Sequence, residues 1–322
     1  MVIRDMVRTL KGWLGVKVHG YAFNIDIVDG GCPVSCPSCA VGSIGRRPRH
    51  LMTIEMFRAI LDKAQSECKV RNVQTYAYSE PTMHPDLHLF LEECRSRKIP
   101  AIVSTVLQGT RCDWEKVIEA RPREIRISFP GWKHMSYYQK GADPNRFNRN
   151  FETLMFHAKR YPETTWTMGY HIYKDTIEEL PLAMALADRW CLKFVPLQAI
   201  HMENTKNVSG EWTEQDRGLI SRLIEPTEEE VKKYIHSEYC NCQSKQITIS
   251  ATGIVWLCQL TYTFPLGDFL KMPFEEIRRQ MMVHPFCPQC KAVKGNVLQE
   301  KYGYFFDKGD PVEKANKGRM KT

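Results

Sequence analysis

The sequence predicts an α/β protein: a partial (β/α)6, TIM-like barrel over residues 21–203, then a small hairpin-containing C-terminal domain over residues 239–300. Three observations predict it. Strand-like and helix-like runs alternate six times in about 180 residues, the pattern of a parallel sheet covered by helices. Several strand-like runs alternate apolar with polar residues at a period of two. Five cysteines from Cys240 to Cys290 bracket two further strand-like runs joined by Ala251–Thr252–Gly253. Crossovers between the six repeats are expected to be right-handed.

The elements follow in order. Residues 1–20 read as an N-terminal amphipathic helix and lead-in, with Leu10, Trp13 and Leu14 on its apolar face. YAFNIDIV (21–28) is the first strand. Thr53 caps a helix reaching Ala64, with Met56 where a capping-box acid would stand. VQTYAY (73–78) precedes a helix over Asp86–Arg97, and PAIVSTV (100–106) precedes one over Asp113–Glu119. EIRISF (124–129) precedes a helix over Asn148–Arg160, and TTWTMGYHIY (164–173) precedes one over Ile177–Trp190. LKFVPL (192–197) is the sixth strand. Residues 204–238 are polar and charged, a helical connector with a helix over Glu214–Leu223. KQITIS and GIVWLC form the C-terminal hairpin. Residues 301–322 are rich in Lys and Gly and predict a mobile basic tail.

The polar strand positions fall on shared faces. Asn24 and Asp26 alternate with Phe23, Ile25 and Ile27, and Arg126 and Ser128 alternate with Ile125, Ile127 and Phe129. Gln74, Tyr76 and Tyr78 share one parity, as do His171 and Tyr173. Polar groups facing a barrel interior are costly unless they satisfy one another, are solvated or bind something. A polar active-site cavity is the favoured reading. Asp26, Arg126, His171, Tyr173 and Glu203 are its candidate substrate contacts.

Composition excludes other classes. With 43% hydrophobic and 25% charged residues the chain is an ordinary globular one, neither disordered nor collagen-like. No apolar run approaches the roughly 20 residues of a membrane span, and the start lacks a secretory signal. The net charge of +8 is spread along the chain apart from Arg46, Arg47, Arg49 and the tail, unlike the concentrated charge of a nucleic-acid binder. Twelve cysteines in a chain without a secretion signal point to metal or redox chemistry in a reducing, cytoplasmic compartment.

Cys32, Cys36 and Cys39 form Cys-x3-Cys-x2-Cys directly after the first strand. Loops at the C-terminal ends of parallel strands are where barrel active sites form. Three thiolates in one loop can hold a soft metal centre and leave one coordination position open; the bland alternative is a structural zinc loop. The second block has Cys242, then Gly253, Cys258 and Cys287-x2-Cys290. Four cysteines around a hairpin suit zinc or an iron–sulfur cluster.

At these residues the sequence resembles the radical S-adenosylmethionine superfamily, over roughly residues 21–205. The resemblance implies a [4Fe–4S] cluster on Cys32, Cys36 and Cys39, with S-adenosyl-L-methionine chelating the fourth iron. It implies reductive cleavage to a 5′-deoxyadenosyl radical, which abstracts a hydrogen atom from substrate. Tyr78-Ser79-Glu80-Pro81 aligns with the family's Gly-Gly-Glu-Pro segment, so Glu80 would hold the methionine ammonium. Tyr78 and Ser79 depart from the two glycines, and Ser38 stands where an aromatic residue is common. Ser104, Thr105 and Ser128 would contact ribose or carboxylate, and Val195 would pack on adenine.

The second block resembles the twitch domain, a shortened SPASM domain, which implies one auxiliary [4Fe–4S] cluster on Cys242, Cys258, Cys287 and Cys290. Cys240 is then a spare thiol and the first candidate hydrogen-atom donor, with Cys191 the second. The implied enzyme acts on a polar substrate, a sugar or cyclitol-type small molecule, by epimerisation or alcohol dehydrogenation in secondary metabolism. Peptide-modifying relatives often carry a leader-binding domain, for which the chain before residue 21 is too short; a short peptide substrate is the alternative. A flavodoxin or ferredoxin would supply the electron. A zinc-ribbon nucleic-acid-binding protein is the distant alternative.

Overall fold

The computed structural model describes residues 20–39, 49–109, 111–158, 160–201, 204–225, 227–229, 232 and 240–295. The expected N-terminal helix, the basic tail, Glu203 and part of the connector lie outside the described residues. Six strands pair in chain order and in parallel: β1 (Tyr21–Ile25), β2 (Val70–Gln74), β3 (Ala101–Thr105), β4 (Glu124–Phe129), β5 (Thr165–Ile172) and β6 (Lys193–Gln198). The sheet stays open beyond β6, so the barrel is partial. Helices alternate with the strands: α1 (Ile54–Glu67), α2 (Leu87–Ser96), α3 (Trp114–Glu119), α4 (Met135–Tyr138), α5 (Pro144–Ala158) and α6 (Leu180–Arg189).

The C-terminal strands do not form a separate sheet. β7 (Gln246–Ile249) pairs in parallel with β1, on the side away from β2. β8 (Ile254–Cys258) and β9 (Thr261–Asp268) add antiparallel to it, making one nine-stranded sheet. Gly253, at φ +81°, makes the turn between β7 and β8. β9 was not anticipated, because Pro265 interrupts its strand pattern; at the sheet edge a proline is tolerated.

Local chemistry sets several boundaries. The Thr53 hydroxyl accepts from the Met56 amide and caps α1. α5 begins four residues before the expected Asn148: Asp143 accepts from the Asn145 amide at 2.9 Å and Pro144 fits the first turn. The second strand differs most from expectation. It ends at Gln74, so Tyr76 and Tyr78 lie beyond the ladder rather than on its face. The Asp26 carboxylate captures the amides of Ala77, Tyr78 and Ser79, which strand pairing would otherwise need.

The strand register sorts side chains cleanly. One face carries Phe23, Ile25, Val73, Val103, Ile125, Ile127, Phe129, Met168 and Tyr170, buried in the core with Phe57, Ile60 and Leu61 of α1 and Phe90 and Leu91 of α2. Each such large side chain contributes about 1.5–3 kcal/mol by burial. The opposite face carries Asn24, Gln74, Ser104, Arg126, Ser128, Thr167, His171 and Val195. Three further helices follow the hairpin strands or precede them: α9 (Asn241–Lys245), α10 (Phe274–Val283) and α11 (Phe286–Ala292), after α7 (Asn204–Ser209) and α8 (Glu214–Ile220) in the connector. Among the described residues no helix is long and apolar enough to cross a membrane.

Candidate active site

The Cys32–Cys39 loop leaves the C-terminal end of β1 and is pinned on two sides. The Ser35 amide donates to the Lys140 carbonyl at 2.9 Å, and the Glu80 amide donates to the Gly31 carbonyl at 3.0 Å. Cys32 and Cys36 face each other, Cys39 and the Glu80 carboxyl. Burial, then these neighbours, pushes both thiols well above their ordinary range. Tyr173 hydrogen-bonds Ser38, faces Cys36 and stacks on Tyr138 at 3.5 Å. It therefore braces the cysteine loop.

Glu80 sits where the sequence expects it, beside the cysteine loop. One carboxylate oxygen accepts from the Thr82 hydroxyl at 2.6 Å, and the other from the Val106 amide at 2.9 Å. Burial raises its pKa against these bonds, which include Thr105. Pro81 starts the turn that Glu80 caps. Asp26 is the foundation of this segment: one oxygen takes the amides of Ala77, Tyr78 and Ser79 at 2.8, 3.0 and 3.1 Å. Burial raises its pKa to about 6 despite these bonds. Its oxygens are thus directed at backbone, which makes it a positioning residue.

The polar sheet face gathers the other expected residues. Arg126 is 3% exposed and donates to Tyr76 Oη and Glu124 Oε2, both at 2.9 Å. Thr167 donates to the other Glu124 oxygen at 2.7 Å. Ser128 Oγ lies 3.5 Å from His171 Nε2, and burial lowers the His171 pKa to about 4, so the ring is neutral at pH 7. Ser104 and Val195 project from the same face. This arrangement offers a buried Arg126–Glu124 ion pair, hydroxyls and a neutral imidazole on one face of the sheet.

The five C-terminal cysteines also converge. Cys242 faces Cys240 and Cys258, and Cys287 faces Cys240, Cys258 and Cys290. Burial and these neighbours raise Cys287, while hydrogen bonding to Cys240 and Cys258 leads the rise at Cys242. Tyr78 links the two sites: its hydroxyl donates to the Cys258 carbonyl at 2.6 Å, with the Thr261 carbonyl 3.2 Å away. Cys240 belongs inside this group rather than apart from it. Cys191 does not: it is exposed, at φ +54°, in the turn before β6 and so at the opposite end of the sheet from the cysteine loop.

All twelve cysteines are free of disulfides. Among the described residues no three His, Cys, Asp or Glu side chains stand at the spacing that would hold a single metal ion. Thiolates are the ligands that iron–sulfur clusters take, so the donor chemistry of both thiol groups suits a cluster. Two residues that sequence reading missed emerge from packing. His201 and Asp216 pair at 3.1 Å just beyond β6, and Lys206 meets the other Asp216 oxygen at 2.8 Å. Burial opposes ionisation of Asp216, but Lys206 and Thr213 hold it well below the usual carboxylate range. Thr213-x2-Asp216, a capping box, was the legible signal there.

No protein-family model matches the sequence. Among curated proteins, Ras-related protein Rab-33A of Mus musculus is 26% identical over 104 residues, 31% of this chain. The chain spans 42% of that relative's length, too little to carry its properties across. Solved structures show the fold. SuiB of Streptococcus suis bound to S-adenosylmethionine matches with a TM-score of 0.57 at 13% identity, covering 88% of this chain and 70% of that one. Native anSMEcpe with bound AdoMet matches at 0.52 and 16%, covering 80% and 79%. The same protein with AdoMet and the Cp18Cys peptide matches at 0.52 and 15%, covering 92% and 99%. The chain therefore shares the α/β partial-barrel fold of these AdoMet-bound structures.

Proposed function

We propose that this chain is a radical S-adenosylmethionine enzyme that abstracts a hydrogen atom from a polar substrate. The observation that carries the reading is the half-buried Cys32–Cys36–Cys39 loop beside Glu80 at the C-terminal end of β1. Cys32, Cys36 and Cys39 would hold a [4Fe–4S] cluster, which when bound supplies the electron that cleaves S-adenosylmethionine to a 5′-deoxyadenosyl radical. Glu80 would accept the methionine ammonium, and its contacts to Thr82 and Val106 fix its orientation. Ser104, Ser128 and Val195 would line the nucleoside, whereas Thr105, expected beside them, lies on the core face with Ile127 and braces Glu80 instead. Pro81 and the Asp26-bound amides of Ala77, Tyr78 and Ser79 keep this wall rigid.

Arg126 and His171 are the substrate contacts we favour, since both face the polar side of the sheet. A sugar or cyclitol hydroxyl suits this lining, with epimerisation or dehydrogenation as the outcome. A second reading, a peptide substrate, is favoured by the likeness to anSMEcpe with a bound peptide, matched over 99% of that chain. The C-terminal cysteines would hold one auxiliary cluster, and a flavodoxin or ferredoxin in the cytoplasm would supply electrons.

Anaerobic purification tests the reading. A brown protein with about eight irons, forming 5′-deoxyadenosine with dithionite, is expected. Colourless protein with stoichiometric zinc would sink it. Deuterium transfer from labelled candidates into 5′-deoxyadenosine then separates hydroxylated small molecules from peptides.

A further inference from the structure

Arg278, on α10, is 5% exposed. One of its terminal nitrogens donates to the Gln243 carbonyl and also approaches the Met281 sulfur at 3.5 Å. The other terminal nitrogen lies 3.7 Å from the Met282 sulfur. Its carbon sits 5.1 Å from the Tyr21 ring centre, and Nε has no partner. No carboxylate among the described residues pairs with it. Two thioethers, a carbonyl and the neutral Tyr21 hydroxyl, which hydrogen-bonds the guanidinium, leave its charge without a counter-ion, and a ring face offsets only part of it.

Gln243, whose carbonyl accepts from Arg278, also takes the Cys240 thiol against its side-chain oxygen at 3.9 Å, which brings that cysteine beside the guanidinium. The acidic groups facing Arg278 are the Tyr21 phenol and the thiols of Cys68 and Cys240. Burial pushes Cys68 up to about 12, so it stays protonated. Cys240 differs, because it stands between Cys242 and Cys287 in the C-terminal thiol group. A thiol becomes a lasting thiolate when it ligates iron. Cys242 lies deeper, 3% exposed, with its thiol toward Gln246 at 3.8 Å.

We propose that Arg278 is a positioning residue for the auxiliary site: a built-in counter-charge, paired with a Cys240 thiolate ligand, that raises the cluster's reduction potential. This rests on the auxiliary-cluster reading above. A fixed cation in a low-dielectric interior stabilises the added electron, and net charge near a cluster is one of the terms that sets its potential. The ligand set is then Cys240, Cys258, Cys287 and Cys290, with Cys242 the fifth, non-ligating thiol.

The test uses the full chain, reconstituted anaerobically, in a background with Cys32, Cys36 and Cys39 changed to Ala. About four irons per chain establish the auxiliary cluster; none would refute that reading by itself, before Arg278 is touched. Given four, Arg278→Gln should move the midpoint potential to a more negative value, and Arg278→Lys should restore it. Loss of the cluster in Arg278→Gln alone, with retention in Arg278→Lys, also supports the charge role. Cys240→Ala should lose the irons, and Cys242→Ala should keep them. An unchanged midpoint in Arg278→Gln, cluster loss in both Arg278 variants, or iron loss in Cys242→Ala but not Cys240→Ala would overturn the proposal.

Discussion

The two cysteine groups are built from the same ligand type but in opposite electrostatic settings. Cys32, Cys36 and Cys39 occupy a loop at the end of β1, and the charged group beside them is the Glu80 carboxyl. The second group has five thiols flanking β7 and β8, and the charged group beside it is Arg278. Three thiols leave a coordination position for a reacting ligand, whereas four close the site. A carboxyl suits a ligand bearing an ammonium, and a guanidinium suits a resident anionic cluster. The contrast teaches that thiol number and the neighbouring charge assign different tasks to chemically identical side chains.

Cys36→Ser should break the comparison most severely. It removes a ligand from the open site, so 5′-deoxyadenosine formation should fall below detection while about four irons remain in the second site. Iron analysis beside product chromatography reads both. Cys287→Ala addresses the other side of the comparison. It should cost about four irons yet leave S-adenosylmethionine cleavage measurable, with net substrate conversion lost. Equal loss of cleavage in both variants would mean that the two groups form one functional unit.

Asp26 sharpens the comparison because it supports the Glu80 side alone. Asp26→Ala strands three backbone amides, that of Tyr78 buried and those of Ala77 and Ser79 part-buried, and should destabilise the chain by about 3 kcal/mol. Its pH signature has a definite sign. The folded pKa, about 6, lies above the ordinary 3.8, so folding favours the protonated carboxyl. That contribution is fully present below pH 3.8 and is lost as pH rises through 6. Denaturant melts of the wild type relative to Asp26→Asn should therefore show a relative decline of about 2 kcal/mol between pH 4 and 7. A constant difference would show that Asp26 is ionised throughout.

How far these features were legible follows from the range of the interactions. The six parallel strands were readable because apolar periodicity is a local property, and the register confirms one polar and one apolar face. The end of β2 was not readable: it depends on Asp26, 51 to 53 residues away, capturing its backbone. The β1–β7 pairing joins residues more than 220 apart and has no local signal. The Cys-x3-Cys-x2-Cys loop was visible as spacing, but the place of Cys240 among its neighbours, and the presence of Arg278 there, came only from packing.

Tyr78 is where the two settings touch, and it carries the smallest expected effect. It stands at a position where the resembling family has glycine, yet its backbone is held by Asp26 and its hydroxyl reaches the Cys258 carbonyl. The side chain therefore ties the Glu80 segment directly to a residue of the second thiol group. Tyr78→Phe keeps the ring and removes one buried hydrogen bond, which should cost about 1 kcal/mol. Because the lost bond joins the sites, the second cluster should become more easily lost to a chelator while cleavage of S-adenosylmethionine without substrate stays near wild type. Iron release followed over time reads the first effect, and 5′-deoxyadenosine yield the second. Unaltered iron release would mean that β8 is held to β7 firmly enough for the tyrosine bridge to be dispensable.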